Sequence, residues 1–344
     1  MGGLTLIELM IALLIGSMLV LGLVQVFGAA RSAYQLSEGI ARVQENGRFA
    51  LDFLQRDIRM AGHFGCVNDQ SHRQVTGSLT SHFAANGPLD FGFSIRGYEN
   101  SNPAGITLNP GRVGGTDVIV LRFLRGTGVP VHAIDPVAGT IDIPPAQWDA
   151  LTEGGVANPT MFGIADCSFA DVFAAQSVAA GAGRVTAPAG IDLALYGALP
   201  GGGPAMLYRA DVVVYYVGNG AGGRPSLWRA RVAPGGGVTS EELVEGIENL
   251  QFRYGLDQGP ADALTGYVAT QANAAGVGGA ETDWRRVGQV QIGVLAVSPN
   301  PAAAPQATVA PPRVLDATPT LPTDGRYRAV YESTIALRNR LYGQ

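Results

Sequence analysis

Hydrophobic and polar positions divide this chain into three stretches with different periods. From Leu4 to Val24 almost every residue is apolar, and the single ionisable group among them is Glu8. That length suits one helix through a hydrocarbon core of roughly 30 Å. A carboxylate at the bilayer centre costs on the order of 2.5–3.5 kcal/mol, so Glu8 needs a place near the helix end or a positive partner close by. Past the apolar run the pattern becomes amphipathic. Leu36, Ile40, Val43, Gly47, Ala50, Leu54 and Ile58 recur at spacings of four and three, which is one face of a helix. Arg31, Glu38, Arg42, Glu45, Arg48, Asp52, Gln55, Arg56 and Arg59 fall mostly elsewhere and are expected in water. No proline interrupts residues 4–87, and Gly62 is the expected stop. One helix over residues 4–61 would span about 87 Å at 1.5 Å per residue.

Beyond Gly62 the readable period is two. Thr116 to Leu124 is β-branched, bounded by glycines, and predicts a strand. Asp211–Val217 and Ser226–Val232 flank a glycine-rich turn and predict a hairpin. Ile247–Tyr254 predicts another strand. Val287–Ser298 predicts a strong one, with Val290, Ile292, Val294 and Ala296 on one face. Tyr327–Leu341 predicts a closing strand that places Ala329, Tyr331, Ser333, Ile335 and Leu337 together. Glu241–Gly246 reads as a short turn or helix. Residues 63–115 read as irregular. Residues 126–205 are poorly patterned, with a short strand at Ile141-Asp142-Ile143 ended by Pro144-Pro145, and much of 174–204 reads as loop. Residues 299–323, rich in Pro, Ala and Thr, read as an excursion. The apolar strand faces need a cover, and the amphipathic half of the long helix can supply it. The expected fold is therefore α+β: one long N-terminal helix packed on a C-terminal antiparallel sheet with long loops.

Composition sharpens this picture. The chain has 344 residues, enough for one large domain or two small ones beyond the anchor. Charged residues make up only 15%, against 48 glycines and 21 prolines, which suits a strand-and-loop-rich extracytoplasmic domain better than a helical cytosolic enzyme. Net charge is −5 with no basic run, so a nucleic-acid partner has no electrostatic support. The two cysteines, Cys66 and Cys167, suit one disulfide in an oxidising compartment. The alternative is two separate buried thiols.

Motifs for chemistry are poor. Gly218-x-Gly220-x-x-Gly223 matches a dinucleotide fingerprint and follows a strand. Pro225 and a β-like Ser226-Leu227-Trp228 come next, however, where the fingerprint needs a helix, so a hairpin turn is the better reading. His63, Cys66, His72 and His82 have no zinc-site spacing and read as loop and surface residues. No Gly-x-Ser-x-Gly elbow or His-Glu-x-x-His is present. Asp166 beside Cys167 reads as structural, and Tyr215, Tyr216, Trp228 and Trp284 as sheet core. No cofactor or metal is expected.

The opening residues carry a family resemblance. Gly3-Leu4-Thr5-Leu6-Ile7-Glu8-Leu9-Met10 resembles the signal of type IV prepilins and type II secretion pseudopilins. The resemblance implies that a prepilin peptidase cuts between Gly3 and Leu4 and N-methylates Leu4. It also implies that Glu8 pairs with a neighbouring subunit's terminus during assembly. Leu4 stands where the family usually has Phe. The leader Met1-Gly2-Gly3 has no Lys or Arg, whereas the family's leaders are basic, so a start codon further upstream is expected.

Other segments narrow the resemblance to the PilW family of minor pilins. They are Gln44 to Leu51, Leu54, Asp57-Ile58-Arg59, Ala61-Gly62 and Gly65-Cys66, then Leu243 to Gly255, Trp284 to Val287 and Leu337 to Arg340, with Leu207-Tyr208-Arg209 a weaker likeness. The resemblance implies a pilin-like fold and a non-enzymatic part in priming pilus assembly at or near the fibre tip. The implied partners are other minor pilins, the major pilin, a tip adhesin, prepilin peptidase and the inner-membrane assembly platform. The implied division is a leader at 1–3, a transmembrane and filament-core helix at 4–27, its amphipathic continuation at 28–62, and a periplasmic domain at 63–344. Within that domain, 63–205 would be variable and loop-rich and 206–344 would hold the main sheet. The implied place is the inner membrane by a single pass, then the pilus tip. The alternative is a J-type minor pseudopilin of type II secretion, which shares the signal and a similar Glu-Gly-Ile-Glu strand.

Overall fold

The computed structural model describes residues 5–68, 78–196, 204–261, 263–302 and 312–341. Its first element, α1, is a single helix, Leu6–Met60. At 1.5 Å per residue it is about 82 Å long. It ends as expected: Ala61 N–H donates to the Ile58 carbonyl, and Gly62 follows at φ +76°, a left-handed position that glycine takes without penalty.

The helix is bare over its first half and packed over its second. Gly39 is its first buried residue, and Gly39, Val43, Gly47, Ala50, Leu54, Asp57 and Ile58 form the buried face. Leu36 and Ile40, expected on that face, are only partly covered. The reason is reach: the globular domain begins at the level of Gly39, where Ala302 and Ser298 close on the helix.

After the helix the chain runs through β1 (His63–Phe64), β2 (Val67–Asn68), β3 (Leu79–Ser81), β4 (Ile95–Tyr98) and β5 (Val118–Pro130). Short strands follow: β6 (Ala133–Asp135), β7 (Thr140–Asp142), β8 (Met161–Ala165), β9 (Ala170–Ala174), β10 (Ser177–Ala179) and β11 (Arg184–Thr186). Then come β12 (Met206–Asn219), β13 (Pro225–Val232), β14 (Val238–Glu245), β15 (Ile247–Asp257) and β16 (Val268–Ala272). Two short helices, α2 (Ala274–Val277) and α3 (Glu281–Arg285), precede β17 (Val287–Val297) and β18 (Arg328–Ala336). The helical turn α4 (Arg338–Leu341) ends the described chain.

The central sheet has eight strands built around β12. One edge of β12 pairs with β5, Met206 opposite Pro130 through Tyr215 opposite Ile119. The other edge pairs with β8 over Met206–Arg209 and with β13 over Val213–Asn219. Every pairing in it is antiparallel except β3 with β9. A second sheet of four strands, in the order β16-β15-β17-β18, is wholly antiparallel. A third, of four short strands, is built from β10, β11, β7 and β6.

The main core lies where α1, one face of the central sheet and one face of the second sheet meet. Val43, Ala50, Leu54 and Ile58 from α1 pack with Leu121, Phe123, Val213 and Tyr215 and with Val290, Ile292, Val294 and Ala296. Burying this area drives the docking of the helix. The other face of the central sheet buries Val120, Val212, Val214 and Tyr216 beneath Phe91, Ile106 and Leu108. A third core, with Trp148, Phe162, Phe173 and Val185, fills the space beside the small sheet. The fold is thus α+β, with a long N-terminal helix packed on antiparallel sheets.

Several expectations need correction. Glu241–Gly246 is not a turn or helix: Glu241 to Glu245 belong to β14, the outer partner of β13, whose Arg229 and Arg231 both pair with Glu241. The ion pairs across the strands stabilise a segment too polar to show a buried face. Residues 126–205 hold β8 to β11, which the Ala- and Gly-rich sequence concealed. The irregular stretch 63–115 holds the short strands β1 to β4. The closing strand stops at Ala336, and Trp284 sits in α3 instead of a strand, packed edge-on against Tyr254 at 4.9 Å.

Candidate functional site

The N-terminal end of α1 is closed by its own side chains. Thr5 is extended and caps the helix: its Oγ1 accepts from Glu8 N–H at 3.3 Å. In return, Thr5 N–H and the Thr5 hydroxyl both donate to Glu8 Oε2 at 2.9 Å. This reciprocal pattern satisfies donors that the first helical turn leaves open, and it sets the carboxylate at the positive end of the helix dipole. Glu8 therefore has a local partner within its own chain. Its second oxygen, Oε1, makes no hydrogen bond among the described residues. Gly3 and Leu4, the expected cleavage and methylation positions, lie outside the described residues.

From Leu6 to Phe27 the apolar side chains meet nothing of the globular domain: Leu6 is 76% exposed and Phe27 69%. Such a continuous apolar surface needs lipid or other helices against it. This is the one described helix long and apolar enough to cross a membrane.

At its far end α1 is held by charge. Asp57 is 1% exposed, and its neighbours come from three strands. Tyr215 OH donates to Oδ2 at 2.8 Å, Arg229 Nη1 lies 3.4 Å from the same oxygen, and Arg125 Nη2 donates to Oδ1 at 3.3 Å. Arg125 also pairs with Asp211, which takes two hydrogen bonds from Arg209 at 2.8 and 3.0 Å. Burial disfavours the Asp211 carboxylate, but Arg209 and Arg125 outweigh it and hold its pKa below the usual range. Burial, and then the Asp57 charge, raises the Tyr215 phenol, so it stays a donor. Three further polar ties run along the helix: Asn46 to the Glu245 carbonyl, Gln55 to Ser333 Oγ, and Asn339 to the Arg59 carbonyl.

Cys66 and Cys167 form a disulfide with Cα atoms 4.7 Å apart. It ties the β1–β2 turn to the β8–β9 turn, where Asp166 Oδ1 accepts from Ser168 and Phe169 N–H. The disulfide takes Cys66 out of any metal set. His63 Nδ1 lies against the Leu124 carbonyl at 2.8 Å, His82 against Asp171 at 2.5 Å, and His72 lies outside the described residues. Gly218 lies at the end of β12 opposite Ser226, and Gly220 and Gly223 lie in the β12–β13 hairpin turn, closed by Gly220 N–H to the Arg224 carbonyl at 2.7 Å.

Residues 214–339 match the family of type IV pilus-assembly protein W, PilW. The chain is PilW-like over this segment, which runs from the β12–β13 hairpin to the start of α4. It takes in three stretches singled out in the sequence, at Leu243–Gly255, Trp284–Val287 and Leu337–Asn339; the Gln44–Cys66 stretch lies outside it. A type IV-like pilin from Thermus thermophilus is similar in structure at 12% identity and a TM-score of 0.33, over 87% of this chain and 98% of that one. Among curated proteins none matches.

In the PilW-like portion Arg229, between Asp57 and Glu241, and Arg328, between Glu248 and Asp324, are charge anchors that sequence reasoning passed over. It also left Asp57 without a role. The signal for Asp57 was present: Val43, Gly47, Ala50, Leu54 and Asp57 step by four and three, which places a carboxylate on the buried face. A buried carboxylate demands partners, and the strands supply them. The expected site residues form two separate groups. Glu8 stands at one end of the helix, and Cys66–Cys167 lies past the other.

Proposed function

We propose that this chain is a minor pilin of a type IV pilus, which helps prime assembly and sits at or near the fibre tip. One observation carries the reading: a PilW-matched sheet domain is mounted on a helix whose apolar half is bare and whose only charge there is Glu8. In this reading residues 1–3 are a leader, residues 4–27 the membrane and filament-core helix, residues 28–62 its continuation, and residues 63–344 a periplasmic domain. Prepilin peptidase cuts after Gly3 and methylates Leu4. Before assembly the chain crosses the inner membrane once. In the fibre its helix joins those of other minor pilins and the major pilin, and a tip adhesin is its outer partner. The role is mechanical and non-catalytic.

Glu8 then has two partners in turn. In the lone chain it closes on Thr5. In the fibre Oε1 accepts from the amine of a neighbouring subunit. A bundle that buried this amine without a carboxylate would hold an uncompensated charge, which costs about 3–5 kcal/mol.

N-terminal mass spectrometry of membrane-expressed protein, with and without prepilin peptidase, tests the reading. The sequence holds no lysine, so the α-amine, primary before methylation and secondary after it, is the only amine that an amine-reactive tag can reach. The expected product is N-methyl-Leu4, with Glu8→Ala leaving processing intact and lowering the chain's incorporation into pili. An unprocessed terminus, or cleavage beyond residue 25, overturns the pilin reading.

A further inference from the structure

At the end of α1 furthest from the apolar half, the helix, β5 and β18 enclose an open cleft of about 750 Å³. Its walls carry Arg56, Arg59, Arg125, Arg338, His63 and a single acid, Glu153. In a chain of net charge −5 this concentration of arginine is out of balance. Arg125 is neutralised from behind by Asp57 and Asp211, and Arg56 pairs with Asp52 at 3.1 Å in an exposed contact of little worth. Neither Arg59 nor Arg338 meets a carboxylate among the described residues. The dipole at the end of α1 accounts for Arg59 but not for Arg338. Asn339 already satisfies the Arg59 carbonyl at 2.9 Å, so the cleft is not needed to complete the helix terminus.

We infer that this cleft is a docking site for an acidic peptide segment of a partner protein, held through Arg59 and Arg338. Guanidinium groups grip carboxylates by paired hydrogen bonds, and the volume falls in the range that encloses a small ligand or a few residues of peptide. Arg59 projects from the last turn of α1 and Arg338 from the first residue of α4, so the two grip the segment from different elements. The cleft is at the opposite end of α1 from the apolar run, so its occupant approaches from the side away from the membrane. Assigning that occupant to a fibre subunit rests on the pilin reading; the binding itself does not.

The test is fluorescence anisotropy of labelled hexaglutamate, with hexaglutamine as control, on the full chain in detergent. Hexaglutamate should bind, and added salt should weaken it. Arg59→Glu and Arg338→Glu, and the milder Arg59→Gln with Arg338→Gln, should each raise Kd at least about tenfold. The exposed control Arg313→Glu should leave it unchanged. All three residues are exposed, and an unchanged unfolding midpoint shows that the variants are folded. The inference is overturned by hexaglutamate binding no tighter than hexaglutamine, by an equal loss in Arg313→Glu, or by displacement by equimolar inorganic phosphate. Tighter binding after removal of residues 342–344 also overturns it, since the chain's own terminus would then be the occupant. Loss of peptide binding with normal N-terminal processing sinks this inference alone, whereas failed processing with intact binding sinks only the pilin reading.

Discussion

The hydroxyl of Tyr215 donates to the carboxylate of Asp57 at 2.8 Å, across 158 residues of chain. This bond joins the long helix to the longest strand of the central sheet, inside a cluster where Arg125 and Arg229 also face Asp57. Asp57→Ala would leave the half-buried Arg125 and Arg229 with one partner fewer each, Asp211 and Glu241 remaining, so the expected loss is about 1–3 kcal/mol. Tyr215→Phe removes one hydrogen bond to a charged group, an expected loss of about 1.5–3 kcal/mol. Denaturant unfolding of the two single variants and the double variant checks this. The double variant should lose less than the sum, and strict additivity would show that the two residues are not coupled.

Gly47 faces the ring of Tyr331 so closely that a Cβ would collide with it. Gly47→Leu is therefore expected to push α1 away from β18 and cost about 1–3 kcal/mol by overpacking. Gly28, on the bare part of the helix, has nothing within 4 Å of the place a Cβ would take. Gly28→Ala should be neutral or stabilising by up to about 1 kcal/mol in the isolated chain. Thermal unfolding of both variants in detergent distinguishes a packing glycine from a merely permissive one.

Cys66 and Cys167 lie 101 residues apart in sequence, and both are exposed. Closing a loop of that size removes unfolded-state freedom worth up to roughly 4.7 kcal/mol in the chain-entropy model. Dithiothreitol reaches an exposed bond, so reduction should lower the unfolding midpoint. Cys66→Ser should show the same drop, about 2–5 kcal/mol, with no further response to reductant. A variant that still responds to dithiothreitol would contradict this account.

Asp117 links the central sheet to β15. Its carboxylate accepts from Asn100 and Phe252 N–H, both at 3.0 Å, and its own N–H donates to the Leu250 carbonyl at 2.8 Å. Burial raises its pKa from 3.8 to about 6, with nearby Glu99 adding to the rise and the two backbone donors opposing it. Between those values the folded chain holds a proton that the unfolded chain has released. The contribution of this group is thus full below pH 3.8 and is lost as pH rises through about 6. Denaturant midpoints measured across that window should fall with pH, and Asp117→Asn should flatten the slope.

What could be read in the sequence was local. The apolar run, the four-and-three spacing from Val43 to Ile58, the Gly62 stop and the alternation of Val290, Ile292, Val294 and Ala296 each depend on residues within a few turns of one another. They predicted the long helix, its cover over the sheets and the strongest strands. Strands without a periodic apolar face were hidden. Glu241 to Glu245 show only Val244 buried, and their strand exists because Arg229 and Arg231 stand opposite.

The amino-acid sequence by itself determined that the chain carries one long helix, half suited to lipid and half to a protein core, and a β-rich remainder. Only the tertiary structure decided where charge meets charge. Asp57 is acceptable in the core because Tyr215, Arg125 and Arg229 arrive from distant strands, and Arg59 and Arg338 share a cleft because α4 returns beside the end of α1. Helix periodicity is a property of neighbouring residues, whereas the desolvation of a charge is set by every atom packed around it.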